Sequence, residues 1–211
     1  MCLSTGFKAM KAEKRRIILA SGSQIRAKML RDAGLVIEVI QPCIDEERIR
    51  TALRDKNTNP KDMAGELAAA KARKLSQEQP GTLVIGSDQI LEFDHEVFCK
   101  PKSPDDARAQ LTAMRGKSHR LLSAAVVCEN GQLRWRHVGE ARLTMRDFSA
   151  EYLERYVQRN WLEIRHTVGC YQLEKEGVRL FSCIEGDYFN VLGLPLIELL
   201  TWLGIQGEIA T

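Results

Sequence analysis

The chain has 211 residues, enough for one domain with a sizeable core. It is 44% hydrophobic and 28% charged, the balance of an ordinary soluble globular protein rather than a disordered or membrane-spanning one. A formal net charge of +3, with both signs interspersed, is too small for a protein that coats nucleic acid, so no nucleic-acid partner is expected.

Residues 1–14 are polar and aperiodic and read as a disordered tail, with Met10 an alternative start. They carry lysines but no apolar run, so they do not read as a secretory leader. A single domain is expected over residues 15–205. Residues 17–20 predict a short buried strand. Residues 24–33 predict a helix closed by Gly34. Residues 36–40 predict a second strand, and the polar connection 45–59 is expected to be partly helical. Asn59-Pro60 opens an alanine-rich helix that Pro80-Gly81 stops.

Residues 83–91 predict a buried strand interrupted by Gly86-Ser87-Asp88-Gln89. Asp94-His95 predicts a hairpin turn returning through Val97 and Phe98. Ser103 caps a helix running to Met114, with Pro104 at its first position and acids in its first turn. Residues 121–128 and 133–145 predict strands joined at Asn130-Gly131. Ser149 starts another helix, strands are expected over residues 178–184, and 186–194 read as a glycine-rich turn. Residues 195–203 form a last, apolar helix. The apolar run 191–197 is short and broken by Pro195, so no membrane partner is expected. Strands alternate with helices and then pair as a hairpin, which argues an α/β domain on a mixed sheet.

Six cysteines, Cys2, Cys43, Cys99, Cys128, Cys170 and Cys183, contain no Cys-x-x-Cys pair. They read as reduced thiols of a cytoplasmic protein. The four histidines are dispersed and suggest no zinc site. No Gly-x-Gly-x-x-Gly follows a strand and no Walker A motif is present.

The chemistry-bearing residues gather at breaks in these elements. Ser21-Gly22-Ser23 ends the first strand and Arg26 follows one turn later, which puts hydroxyls, free amides and a cation where an anion, above all phosphate, can sit. Asp88 interrupts a buried strand, where an unpaired carboxylate is costly, so it is expected to face a cation or a cleft. Glu46 lies in the acid run 45–47, which also fits a solvated loop. Arg26, Lys71, Lys100 and Lys117 each stand beside a break in the pattern. Singly each reads as a surface charge. Together with the acids they describe a site for a metal-bound polyphosphate.

In this order, Leu19-Ala20-Ser21-Gly22-Ser23-Gln24-Ile25-Arg26, Asp45-Glu46, Ala70-Lys71-Ala72, Gly86-Ser87-Asp88-Gln89, Lys100-Pro101, Gly116-Lys117-Ser118-His119, Val168-Gly169-Cys170-Tyr171 and Gly193-Leu194-Pro195-Leu196 resemble the Maf family of nucleotide pyrophosphatases. The resemblance covers residues 16–203. It implies a fold akin to the inosine-triphosphate pyrophosphatases, an elongated mixed β-sheet with flanking helices and two lobes around a central cleft. It implies hydrolysis of a nucleoside triphosphate to the monophosphate and pyrophosphate, with Mg²⁺ or Mn²⁺, as a house-cleaning activity in nucleotide metabolism. By the same resemblance, Ser21, Ser23, Arg26, Lys71 and Lys100 bind substrate, Asp88 is the proton acceptor, and Glu46 and Asp88 hold metal.

The resemblance also implies that substrate choice is carried by Ile25, Gln89 and Glu174. Members acting on dTTP and UTP typically read Gly-Ala-Asp-Thr, whereas the 7-methyl-GTP type reads Gly-Ser-Asp-Gln and has an acid at the place of Glu174. The chain therefore resembles the 7-methyl-GTP subgroup most. It departs from the expected pattern at Ile25, where tryptophan is usual in that subgroup, and at Arg115 and Cys170. A dTTP/UTP pyrophosphatase and a non-catalytic nucleotide-binding regulator of cell division are the alternatives, and a homodimer is left open.

Overall fold

In a computed structural model describing residues 15–210, the long strand β3 (Leu83–Phe93) is the axis on which the molecule divides. The tail expectation over residues 1–14 lies outside the described residues. Beside β3 run β1 (Ile17–Ala20), β2 (Ile37–Val39), β4 (Glu96–Phe98), β5 (Ser118–Glu129), β6 (Gln132–Met145) and β7 (Phe181–Gly186). They form one seven-stranded mixed sheet in the order β2-β1-β3-β5-β6-β7, with β4 paired to β3. The helices are α1 (Gln24–Asp32), α2 (Glu46–Asp55), α3 (Pro60–Glu78), α4 (Pro104–Met114), α5 (Ala150–Ile164), α6 (Tyr188–Val191) and α7 (Leu196–Ile205). This is the α/β architecture expected from the sequence.

Successive side chains of β3 point to opposite faces of the sheet. Val84 and Ile90 pack on the face covered by α3, with Met63, Leu67 and Leu75. Each of those fully buried side chains contributes about 2 kcal/mol before the entropy of ordering it is subtracted. Leu83 and Ile85 turn to the other face, under α1 and α7. Leu91 and Phe93 turn the same way but belong to a separate core with Leu111, Met114 and Tyr156 from α4 and α5. Two cores thus share one face of the sheet and are separated along the strand direction. They are the two lobes, and the cleft lies between them.

The register explains why the cleft opens where it does. Strand β1 runs parallel to β3 and its last pair is Ala20 with Gly86. Strand β4 joins the same side of β3 only from Leu91 onward, opposite Phe98. Residues 87–90 therefore have β5 as their one strand neighbour. Parallel strands that end at such a break leave a crevice at their carboxyl ends, the usual ligand position in open α/β sheets.

Local chemistry accounts for most element boundaries. Asn59 accepts a hydrogen bond from the Asp62 amide, and Pro60 occupies the first position of α3. Asp94 (φ 51°) with His95 (φ 65°), and Asn130 (φ 50°) with Gly131 (φ 78°), take the paired left-handed conformation of two-residue hairpin turns. Gly86 is required by packing: a Cβ there would collide with the Ala68 carbonyl oxygen and lie 2.8 Å from the Ala72 nitrogen. The missing side chain lets α3 approach β3 closely.

Three expectations need correction. Val36 lies outside β2 and is 93% exposed, because β2 is only the three-residue edge that pairs with β1. Val178 lies in a 3-10 turn, and the strand begins at Phe181, where pairing to β6 starts. Residues 186–194 are not only a turn. Asp187 accepts from the Asn190 amide and caps the short helix α6. The described cysteines, Cys43, Cys99, Cys128, Cys170 and Cys183, are all free, in line with reduced thiols.

Candidate active site

The apolar strand β1 is followed by Ser21, which is buried in the lining of a cleft of about 1600 Å³. Its hydroxyl accepts from the Ser23 amide (3.2 Å) and from Arg26 Nη1 (3.3 Å). Ser23 occupies the N-cap of α1 but its side chain makes no capping bond, and no acid stands in the first turn. Helices α2, α3, α4 and α5 contrast with this. Each is capped by a side-chain oxygen, from Asp45, Asn59, Ser103 and Ser149, and each carries an acid in its first turn. The α1 terminus keeps its positive end and its orphan amides for something outside the helix.

Arg26 ties this turn to two distant segments. Its Nε donates to the Gly193 carbonyl (2.8 Å) and its Nη1 to the Ser87 carbonyl (3.1 Å). The latter carbonyl belongs to the stretch of β3 that lacks a neighbour on this side. Ser87 Oγ donates to the same Gly193 carbonyl (3.0 Å). Gly193 holds φ 99°, and a Cβ there would stand 3.1 Å from the Arg26 guanidinium, so glycine fits both the backbone and the space. Loss of hydration lowers the Arg26 guanidinium from its ordinary range, while Asp88 and Glu46 oppose the shift. It stays a cation at any physiological pH.

The carboxylates meet at Lys71. Its Nζ lies 2.7 Å from Asp88 Oδ1 and 3.1 Å from Glu46 Oε2. Both Lys71 and Asp88 are buried, at 6% exposure each. The close approach of α3 at Gly86 is what brings the two together. Asp88 Oδ2 is buried with no hydrogen-bond partner, so half of this carboxylate is left over. Of the acid run 45–47, Asp45 accepts from the Arg48 amide (2.9 Å) as the cap of α2, while Glu46 and Glu47 both line the cleft and Glu46 is the one that reaches Lys71. Lys100 stands at the rim. Partial loss of hydration lowers its ammonium; Glu46 raises it, and Lys71 and Arg26 lower it further.

Ser21, Ser23, Ile25, Arg26, Glu46, Lys71, Asp88, Gln89, Lys100 and Glu174 therefore all line one cleft. Lys117 does not join them: its Nζ sits 5.3 Å from the centre of the Phe93 ring, in a cation–π contact away from the cleft. A glycine-flanked lysine before a strand gave no means of telling these outcomes apart. Arg50 and Tyr188 line the cleft and were not anticipated. Arg50 Nε is buried without a partner and lies 4.0 Å from Glu47. Its four-residue spacing from Glu46 puts both on one face of α2, a signal visible once that segment is read as a full helix.

Among the described residues no cluster of three or more His, Cys, Asp or Glu forms a closed metal cage. Two carboxylates, one with an orphaned oxygen, fit a hard cation that also takes phosphate oxygens and water.

The sequence profile of the Maf-like protein family matches residues 16–205. A nucleoside triphosphate pyrophosphatase of Ruegeria sp. (strain TM1040) is 55% identical over 193 residues, 92% of this chain and 97% of the relative. One of Ruegeria pomeroyi is 53% identical, over 92% and 98%. A 7-methyl-GTP pyrophosphatase of Mesorhizobium japonicum is 44% identical, also over 92% and 98%. With the profile spanning nearly every described residue, including the whole cleft, the chain belongs to the Maf-like protein family.

Proposed function

We propose that the cleft hydrolyses 7-methyl-GTP between its α- and β-phosphates, with Mg²⁺ or Mn²⁺ bound, to give the monophosphate and pyrophosphate. The chain is an enzyme of the nucleoside triphosphate pyrophosphatase class, in keeping with relatives of that name that it matches almost end to end. One observation carries the mechanistic reading: Asp88 is ion-paired through one oxygen and left buried and unpartnered at the other, beside an uncapped helix terminus.

The roles follow from what each group can do. Ser21, Ser23, Arg26 and the α1 amides grip phosphate oxygens. Lys71 and Lys100 offset the charge that grows on the leaving pyrophosphate as the bond to the α-phosphorus breaks. Asp88 Oδ2 accepts the proton of the attacking water as the new P–O bond forms. Glu46 and Asp88 would hold the metal ion, which when bound supplies charge neutralisation and a more acidic water. Lys71, placed between the two carboxylates, keeps them apart from each other and aimed at the same space.

The substrate assignment rests on Gln89 and Glu174, both on the cleft wall. Glu174 is exposed and, among the described residues, bonds to no donor. A free carboxylate suits a 7-methylated guanine, which carries positive charge. A pyrophosphate-release panel of 7-methyl-GTP, GTP, inosine triphosphate, CTP, dTTP and UTP tests both levels. The highest kcat/KM is expected on 7-methyl-GTP. Equal rates on all, or a preference for dTTP and UTP, would overturn the substrate. Release from none would overturn the reaction.

A further inference from the structure

We propose that Tyr188 is a specificity-determining contact for the nucleobase, and that Gln89 acts on specificity as a positioning residue through the segment bearing Tyr188. This rests on the cleft being the triphosphate site proposed above.

Gln89 does not simply point into the cleft. Its Nε2 donates toward Ser123 Oγ (3.0 Å), the Asn190 carbonyl (3.1 Å) and the Val191 carbonyl (3.0 Å). Ser123, its direct partner across the β3–β5 ladder, donates its own hydroxyl to the Asn190 carbonyl (2.6 Å). Two side chains of the sheet floor thus hold the backbone of α6 from below. Asp187 caps the same helix at one end, and Ser87 and Arg26 hold the Gly193 carbonyl at the other. Gly139 completes the seat, since a Cβ there would collide with the Asn190 amide group.

A four-residue helix has too few internal bonds to fix itself. These pins give the segment Asp187 to Gly193 a defined place, and of the residues it turns to the cleft, Tyr188, Phe189, Val191 and Leu192, Tyr188 is the most exposed. The ring is 49% exposed, lines the cleft, and meets Phe189 edge-on at 6.1 Å. Among the described residues its hydroxyl has no partner. An aromatic held rigidly yet left half-open in a cleft offers a face for a planar base. A cationic methylated purine gains an electrostatic attraction to that face beyond stacking. Removing the Gln89 donor takes this partner from the Val191 carbonyl, leaves the Asn190 carbonyl to Ser123 and the Gly193 amide, and loosens the seat of Tyr188, without any contact between Gln89 and the base.

The test uses the full chain with Tyr188→Ala, Tyr188→Phe, Gln89→Met and the double variant Gln89→Met/Tyr188→Ala. KM and kcat are measured on 7-methyl-GTP and on whichever other triphosphates are cleaved, and binding of 7-methyl-GMP is titrated at equilibrium. Tyr188→Ala is expected to raise KM roughly tenfold with kcat held within about twofold, and to weaken 7-methyl-GMP to match. Tyr188→Phe should behave as the parent. Gln89→Met should shift KM in the same direction, and the double variant should be no worse than Tyr188→Ala alone. An unchanged KM and product affinity in Tyr188→Ala, a half-exposed site at which folding is not at stake, would overturn the contact. Additive effects in the double variant would overturn the route through Tyr188 and make Gln89 a direct contact. Absence of turnover in the parent chain would sink the reaction, while monophosphate binding would still decide the role of Tyr188.

Discussion

Where the cleft is to grip phosphate, Ser21, Lys71 and Asp88 are buried and each is bonded to another residue of the site. Where it is to meet the base, Tyr188 and Glu174 are exposed and their polar tips bond nothing among the described residues. In the first region Arg26 holds Ser21, and Lys71 holds Asp88 and Glu46. The second consists of separate side chains displayed on a pinned backbone. Triphosphates share one polyphosphate geometry, so a fixed grip serves them all. Bases differ, and residues with few contacts can be exchanged without disturbing the fold. On the proposed roles, chemistry and selectivity fall to parts of the cleft with different tolerance to change.

The sharpest way to break this contrast is Asp88→Asn. Removing the proton acceptor while keeping its shape is expected to lower kcat by about 10²–10⁴-fold, with a smaller loss of stability than Lys71→Met because Lys71 keeps Glu46 as a partner. Pyrophosphate release at the parent rate would end the role given to Asp88. Next is Lys71→Met, which strands the buried Asp88 carboxylate and is expected to cost about 3–5 kcal/mol in urea unfolding. Adding Asp88→Leu should return most of that stability but none of the activity, since an apolar pair replaces an ion pair. If the double variant is no more stable than Lys71→Met, the network is not what the burial implies.

A third experiment probes the support beneath the base region. His119 is buried on β5 with its Nε2 2.7 Å from the hydroxyl of Tyr171, a cleft residue. Burial pulls the imidazole down to about 4 from 6.5. Above about pH 6.5 the ring is neutral in both the folded and the unfolded chain. Between that value and about 4 only the unfolded chain takes up the proton, so stability falls as the pH falls through this window, by about 3 kcal/mol in all. Urea unfolding at pH 7 and pH 5 should show the loss in the parent and a smaller one in His119→Asn. Identical pH slopes would show that the ring titrates freely. The smallest effect is expected from Glu174→Gln. An exposed charge acting across solvent should change the preference for 7-methyl-GTP over GTP by no more than about fivefold. A change of a hundredfold would mean that Glu174 closes onto the base in the complex and would erase the contrast drawn here.

The same division governs what could be read from the sequence. The phosphate turn was legible because an apolar strand stopping at Ser21-Gly22-Ser23 is a local event. Asp88 stood out because a carboxylate within a buried strand needs a cause, and Lys71 supplies it. The opening itself was not legible: residues 87–90 lose one neighbour because the pairing of β3 with β1 stops at Gly86 and its pairing with β4 starts at Leu91, a matter of register among segments far apart in the chain. Helix α6 was read as a turn because four residues show no helical period, although Asp187 at its cap was in plain view. Lys117, like Lys100, stood beside a break in the pattern and went elsewhere, because only the tertiary path decides which strand end faces the cleft.

The bare N-terminus of α1 has a thermodynamic consequence. An N-cap side chain is worth about 1 kcal/mol to a helix, and Ser23 withholds it. The free protein is in that sense an unfinished fold, and on the proposed roles the substrate's phosphates would be the missing cap. Whatever anion seats itself there stabilises the folded chain by mass action, in proportion to RT ln(1 + [L]/Kd). The melting temperature of such a protein is then not a fixed property of the chain. On the proposed roles it rises with the polyphosphate that the surrounding solution holds.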